Sequence, residues 1–222
     1  MIEAILPDPV RTEHRYVDVT DALVFPAEQE QVARAVDKRR REFTTTRLCA
    51  RTALARLGVG AGPVLSGPRG DPRWPPAVVG SLTHCDGYRA ASVAWSHDVA
   101  ALGIDAEPND VLPEGVLDLV TRADERAMLR ALPTDTGVSW DRLLFSAKES
   151  IFKAWYPVTG RELSFREASV RLHGTAAGTN GTFSAFLLVP DSPFGDQLSG
   201  RWMSGAGLVL SSVVITTHDR GR

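Results

Sequence analysis

Three short apolar runs separated by tight breaks constrain this chain most: residues 77–83, 88–95 and 100–105. The breaks, Cys85-Asp86-Gly87 and Ser96-His97-Asp98, are long enough only for a reversal. The runs therefore predict an antiparallel meander, whose first and third strands point the same way. His84 ends the first run and Asp105 ends the third, so both belong at one edge of the sheet. With the middle strand between them they would stand about 10 Å apart, two strand spacings.

The flanking segments read as helices. From about Ala27 to Leu57, the residues Phe43, Ala50, Leu54 and Leu57 recur at helical spacing, and Gly58 is a stop. A connection rich in glycine and proline then runs from Gly60 to Pro76. A second helical block spans Glu114 to Pro157, with Thr121 as a cap and Pro133 as a stop. Its last helix is expected from about Ser139 to Tyr156, ended by Pro157. Residues 168–217 read as strands broken by glycines and prolines. Both halves thus place helices before antiparallel strands. The fold class is α+β: two pseudo-symmetric lobes, 1–106 and 107–222, each with helices packed on a small antiparallel sheet and the active site at the lobe interface.

Composition narrows the function. The 222 residues are 43% hydrophobic and 23% charged, with 25 basic against 27 acidic side chains. That balance lacks the basic footprint of a general nucleic-acid binder. No apolar run approaches the roughly 20 residues that cross a bilayer. Met1-Ile2-Glu3-Ala4-Ile5-Leu6-Pro7 lacks the pattern of a signal peptide, so a cytoplasmic protein is expected. Cys49 and Cys85 have no metal-ligand spacing and read as small buried apolar groups.

Three segments carry the chemistry jointly. In Gly103-Ile104-Asp105-Ala106-Glu107-Pro108, the two acids lie two apart and can share one strand face and one hard cation. In Phe145-Ser146-Ala147-Lys148-Glu149-Ser150-Ile151-Phe152-Lys153, an apolar stripe of Leu144, Ala147, Ile151 and Trp155 faces the core. Glu149 and Lys153 share a neighbouring face. In Gly80-Ser81-Leu82-Thr83-His84, an imidazole and two hydroxyls end a strand. Taken singly, each has a plain structural alternative: a polar strand end, a surface ion pair, a structural histidine.

Together, in this order, the segments resemble the surfactin-type 4′-phosphopantetheinyl transferases, and most closely their actinobacterial branch. That family shows a serine-x-histidine strand end, a G-(I/V)-D-x-E strand end and a (W/F)-x-x-K-E-(A/S)-x-x-K helix, and the likeness runs from about Val32 to Phe165. The resemblance implies magnesium-dependent transfer of the 4′-phosphopantetheine arm of coenzyme A to a serine of apo acyl or peptidyl carrier proteins, releasing adenosine 3′,5′-bisphosphate. It implies Asp105, Glu107 and Glu149 as ligands of Mg2+, with Mn2+ as a substitute. His84 would touch the diphosphate or the 3′-phosphate region, and Lys148 and Lys153 would approach the diphosphate, with Lys153 stabilising or protonating the leaving group. Arg39 and Arg47, eight apart, match the family's 3′-phosphate contacts, while Arg40, Arg41 and Arg51 read as a solvated basic face. Thr83 adds a hydroxyl to the coenzyme site. Two departures stand out. The family's glycine loop carries a lysine where this chain has Gly67-Pro68-Arg69-Gly70-Asp71-Pro72, so that Arg69 or nothing supplies that cation. After the helix, Tyr156-Pro157-Val158-Thr159-Gly160-Arg161 replaces a common K-x-x-G-x-G-like run. Either Glu149 or a metal-bound hydroxide would serve as base. Two lobes in one chain imply a monomer. Arg122, Arg126 and Arg130 share a helix face that could meet an acidic carrier. The rival readings are a non-catalytic carrier-binding homologue and another magnesium enzyme that cleaves phosphodiesters.

Overall fold

The computed structural model describes residues 1–174 and 178–218. A short 3-10 turn at Ile2–Ile5 leads into strand β1 (Arg11–Arg15), then helices α1 (Pro26–Val32) and α2 (Asp37–Arg56). The two-residue strands β2 (Leu65–Ser66) and β3 (Pro72–Arg73) precede β4 (Val78–Cys85), β5 (Tyr88–Trp95) and β6 (Val99–Pro108). Helices α3 (Val116–Val120), α4 (Ala123–Ala131) and α5 (Trp140–Thr159) follow. Strands β7 (Ala168–Gly174), β8 (Asn180–Leu187), β9 (Gln197–Gly205) and β10 (Leu208–Thr216) complete the chain. The class is the expected α+β, with two lobes.

The meander is only half formed. β4 and β5 pair antiparallel, but the first sheet has the order β1-β5-β4, and β6 heads a second sheet of order β6-β10-β9-β8-β7. The outer edge of β5 is taken by β1, and β6 takes its ladder from β10. The remaining edges of β4 and β6 therefore face each other. Side-chain hydroxyls join them instead of a backbone ladder: Ile104 N donates to Ser81 Oγ at 3.0 Å, and Ala106 N donates to Thr83 Oγ1 at 3.0 Å. The rising register makes the two strands parallel neighbours. His84 and Asp105 thus flank a seam with no strand between them. An expected divide at 106/107 leaves residues 99–106 in the first lobe; the ladders put all of β6 in the second sheet.

Each sheet carries one 20-residue helix, α2 on the first and α5 on the second. α2 buries Phe43, Arg47, Ala50 and Leu54 at helical spacing. The stretch expected as one helix from Ala27 is broken at residues 33–36, where the helix restarts after Val36. Arg51 is not on a solvated face. It pairs with fully buried Glu28 at 2.9 Å and so ties α1 to α2.

α5 has the predicted core stripe, with Leu144, Ala147, Ile151 and Trp155 all fully buried. It runs past Pro157, because a proline in the last turn forfeits a single hydrogen bond. Gly160 ends it at φ 63°, with its N–H on the Tyr156 carbonyl. Thr121 does not cap α4. Its hydroxyl turns back to the Leu117 carbonyl at 2.5 Å, and Glu125 takes the Arg122 N–H at the start of α4.

Gly103 decides how α5 meets β6. A Cβ at this position would collide with the Ser150 carbonyl oxygen and come within 2.7 Å of Ala154 N. Both clashing groups are helix backbone, which cannot rotate aside. Gly103→Ala is expected to lower stability by about 3 kcal/mol or more. That corresponds to a fall in Tm of roughly 6–12 °C by differential scanning calorimetry. A variant melting with the wild type would mean that the helix does not depend on this approach.

Candidate active site

Where the two sheets face each other, a cavity of about 320 Å³ opens. The first lobe lines it with Arg39, Phe43, Thr46 and Arg47 of α2, Ser66 and Gly70, and Leu82, Thr83 and His84 of β4. The second lobe supplies Asp105 and Glu107 of β6, and Phe145, Glu149 and Lys153 of α5. The local reasons are simple. Asp105 and Glu107 end a strand with period 2, and Glu149 and Lys153 lie one helical turn apart on the face beside the core stripe.

Asp105 is the electrostatic centre. It is 3% exposed, and its Oδ1 accepts from Lys153 Nζ at 2.6 Å and from the Thr83 hydroxyl at 3.3 Å. Its Oδ2 is buried without a hydrogen-bond partner. Burial works against the charge on Lys153, but Asp105, with Glu149 and Glu107, outweighs it and raises the Lys153 ammonium above its usual range. The Glu107 carboxyl is pushed up to about 7, first by burial and then by the charge of Asp105; Arg142 pulls the other way from 3.1 Å. Glu149 is also raised, chiefly by burial.

His84 is held down to about 4 by burial, with Arg39, Lys153 and Arg89 adding positive charge around it. The ring is therefore neutral at neutral pH, and its Nε2 lies 2.6 Å from Arg39 Nη1. A guanidinium can only donate, so Nε2 accepts. Arg39 is half exposed and keeps donors for a ligand. Arg47 is more committed. Its Nε donates to the Val64 carbonyl at 2.5 Å and its Nη2 to Ser66 Oγ at 2.7 Å, with the guanidinium 4.2 Å from the Phe43 ring centroid. Burial lowers it to about 10. Thr83 likewise spends its hydroxyl on the seam and on Asp105.

Two expected residues do not join this group. Lys148 Nζ is buried on Glu125 Oε2 at 2.8 Å and on the Phe165 carbonyl at 2.6 Å, away from Asp105. Lys148, expected at the diphosphate, therefore does not line this cavity: it lies five positions before Lys153, about 140° around the helix. Arg69 lines a neighbouring cavity of about 200 Å³ and pairs with Glu162 at 2.5 Å. That cavity continues from the charged one through Gly70, Leu82, Glu149 and Lys153, and its walls add Phe152, Tyr156 and Pro157. Arg122 and Arg126 are engaged within their own region, on the Arg166 carbonyl and on Thr121.

Sequence reasoning missed Arg142. It holds Glu107 while donating Nε to the Asp110 carbonyl and Nη2 to the Val111 carbonyl. A signal existed, since Arg142 and Glu149 are seven apart, two helical turns on one face.

Among the described residues, no three His, Cys, Asp or Glu side chains are gathered closely enough to grip an ion as they stand. The donor set nevertheless fits a hard divalent cation. Three carboxylates border one cavity, and a buried oxygen of the central one lacks a partner.

Family models match both halves of the chain. A model described as 4′-phosphopantetheinyl transferase N-terminal domain matches residues 27–94. Another, described as 4′-phosphopantetheinyl transferase superfamily, matches residues 101–197. The chain is 52% identical to 4′-phosphopantetheinyl transferase Svp of Streptomyces mobaraensis, over 97% of this chain and 89% of that protein. It is 47% identical to Npt of Nocardia iowensis, over 96% and 99%, and 43% identical to PptT of Mycobacterium tuberculosis, over 97% and 98%. With likeness over nearly its whole length, the chain belongs to the 4′-phosphopantetheinyl transferase family and is an enzyme of that class. No helix among the described residues is long and apolar enough to cross a membrane.

The raised carboxyl of Glu107 has a measurable sign. Its folded value, about 7, exceeds the ordinary 4.5, so the folded state binds the extra proton. Without divalent ions, wild-type stability should therefore fall relative to Glu107→Gln as pH rises from 4.5 to about 7. The difference should reach on the order of 3 kcal/mol. Urea melts of both proteins across this range, with chelator present, test it. A constant gap would mean that Glu107 ionises normally.

Proposed function

We propose that this enzyme transfers the 4′-phosphopantetheine arm of coenzyme A to a serine of apo acyl or peptidyl carrier proteins and releases adenosine 3′,5′-bisphosphate. The observation that carries this reading is the single cavity bordered by Asp105, Glu107, Glu149 and Lys153 from the second lobe and by His84 and Arg39 from the first. Acidic groups for a cation and basic groups for phosphates meet there within one space.

Asp105, Glu107 and Glu149 would hold Mg2+, or Mn2+ in its place. When bound, the ion neutralises charge on the diphosphate and fixes it for in-line displacement. Arg39, partly exposed and backed by His84, suits the 3′-phosphate, with Arg47 behind it bracing the loop at Val64 and Ser66. Glu149, which borders both the charged cavity and the adjoining one, is assigned the proton of the carrier serine. Lys153 stays charged and compensates the phosphate that leaves. The adjoining cavity beside Leu82, Phe152 and Tyr156 has apolar walls suited to the pantetheine arm. The single-chain, two-lobe layout supports the surfactin-type subgroup and a monomer, because both sides of the cavity come from one chain.

The direct test incubates the protein with coenzyme A, Mg2+ and an apo carrier, then weighs the carrier by mass spectrometry. A gain of one phosphopantetheine group is expected, and an unchanged carrier would sink the reading. Glu149→Gln should keep its fold by circular dichroism and lose at least about a hundredfold in kcat. Near-normal turnover would remove Glu149 from the chemistry. Arg39→Ala should weaken coenzyme A about tenfold, from the loss of a charged contact. Dephospho-coenzyme A should be much less affected, and equal losses in calorimetric titrations would place Arg39 elsewhere.

A further inference from the structure

Lys148 precedes Glu149 in the helix, yet it serves another set of contacts. We propose that the buried pair of Lys148 and Glu125 is a positioning device for Glu149, and that Lys148 acts through the helix rather than on a phosphate. The proposal rests on the carrier-modifying reading above.

The pair is completely enclosed, with side chains 1% and 0% exposed. Glu125 Oε2 accepts from Lys148 Nζ and from the Arg122 N–H, both at 2.8 Å. Its Oε1 accepts the Val170 N–H at 2.8 Å. One carboxylate therefore ties the first turn of α4, the outer edge of β7 and the middle of α5. Lys148 extends the tie to the segment after α5, through the Phe165 carbonyl at 2.6 Å.

By contrast, no hydrogen bond among the described residues holds the Glu149 carboxylate. Where that carboxylate sits depends on where the α5 backbone sits. On one side of this turn, Gly103 lets β6 press against Ser150. On the other, the Lys148 ammonium is drawn toward α4. Glu149 lies between these two restraints and borders both the charged cavity and a separate one, which Lys148 also lines beside Leu119, Phe152, Leu163 and Phe165. A shift of the turn would move Glu149 relative to Asp105 while leaving the coenzyme contacts on β4 and α2 untouched.

The pair makes a discriminating experiment possible. Removing one partner strands a buried charge, whereas neutralising both is tolerated far better. The variant Glu125→Gln/Lys148→Met should fold and bind coenzyme A within about threefold of wild type by titration calorimetry. Its kcat should fall about tenfold to a hundredfold, the usual effect of losing support behind a reacting group. A tenfold or greater loss of coenzyme A affinity would mean that the pair serves coenzyme binding rather than the base, and an unchanged kcat would mean that the pair does not position Glu149; either overturns the proposal. A second measurement needs no variant. Amine-selective labelling of the wild type, read by mass spectrometry, should modify Lys153, with coenzyme A protecting it, and leave Lys148 unmodified in both states. Labelling of Lys148 that coenzyme A suppresses would also overturn it. Failure of the wild type to load any carrier would instead strike at the functional reading itself.

Discussion

The site depends on a backbone contact before it depends on any charge. α5 crosses β6 so closely at Gly103 that only a hydrogen fits between the strand and the Ser150 carbonyl. This approach puts Lys153 within 2.6 Å of Asp105 and sets Glu149 on the same cavity. Neither pairing is dictated by nearness in sequence, since 48 residues separate Asp105 from Lys153. The glycine in the G-I-D-x-E motif is therefore as much a part of the site as its two acids.

The second constraint is the hydroxyl seam between the lobes. Had β4 and β6 joined through a backbone ladder, their ends would lie about 4.8 Å apart, leaving no room for a ligand. Ser81 and Thr83 insert a side chain between the strands while still satisfying the N–H groups of Ile104 and Ala106. The two sheets are thus bound to each other and held apart by the same atoms. Thr83 also reaches Asp105, so the seam ends at the charge centre.

Within the cavity, the chain supplies its own partial compensation. Lys153 meets Asp105, and Arg142 meets Glu107, yet burial, with the charge of Asp105 added, still raises the carboxyls of Glu107 and Glu149. A divalent cation would relieve this excess of buried negative charge, and Lys153 would then be available to a phosphate. The same residues therefore suit both the protein alone and the protein with its ligands.

Much of this was legible in one sequence because the local signals were strong. The period-2 acids of β6, the apolar stripe of α5 and the order of the three motifs pointed to α+β lobes, to the family and to one acidic cleft. Other features carried no local signal. β1, with the sequence Arg-Thr-Glu-His-Arg, has no apolar alternation, so the strand that caps β5 and breaks the meander was invisible. Arg51 reads as a surface charge and Lys148 as a phosphate contact because helical spacing cannot show a buried Glu28 or Glu125 arriving from 23 residues away. Side-chain chemistry and spacing determined which groups this protein can bring to a reaction. Only the tertiary structure decided which of those groups face the cavity, because that choice is made by packing between segments far apart in the chain.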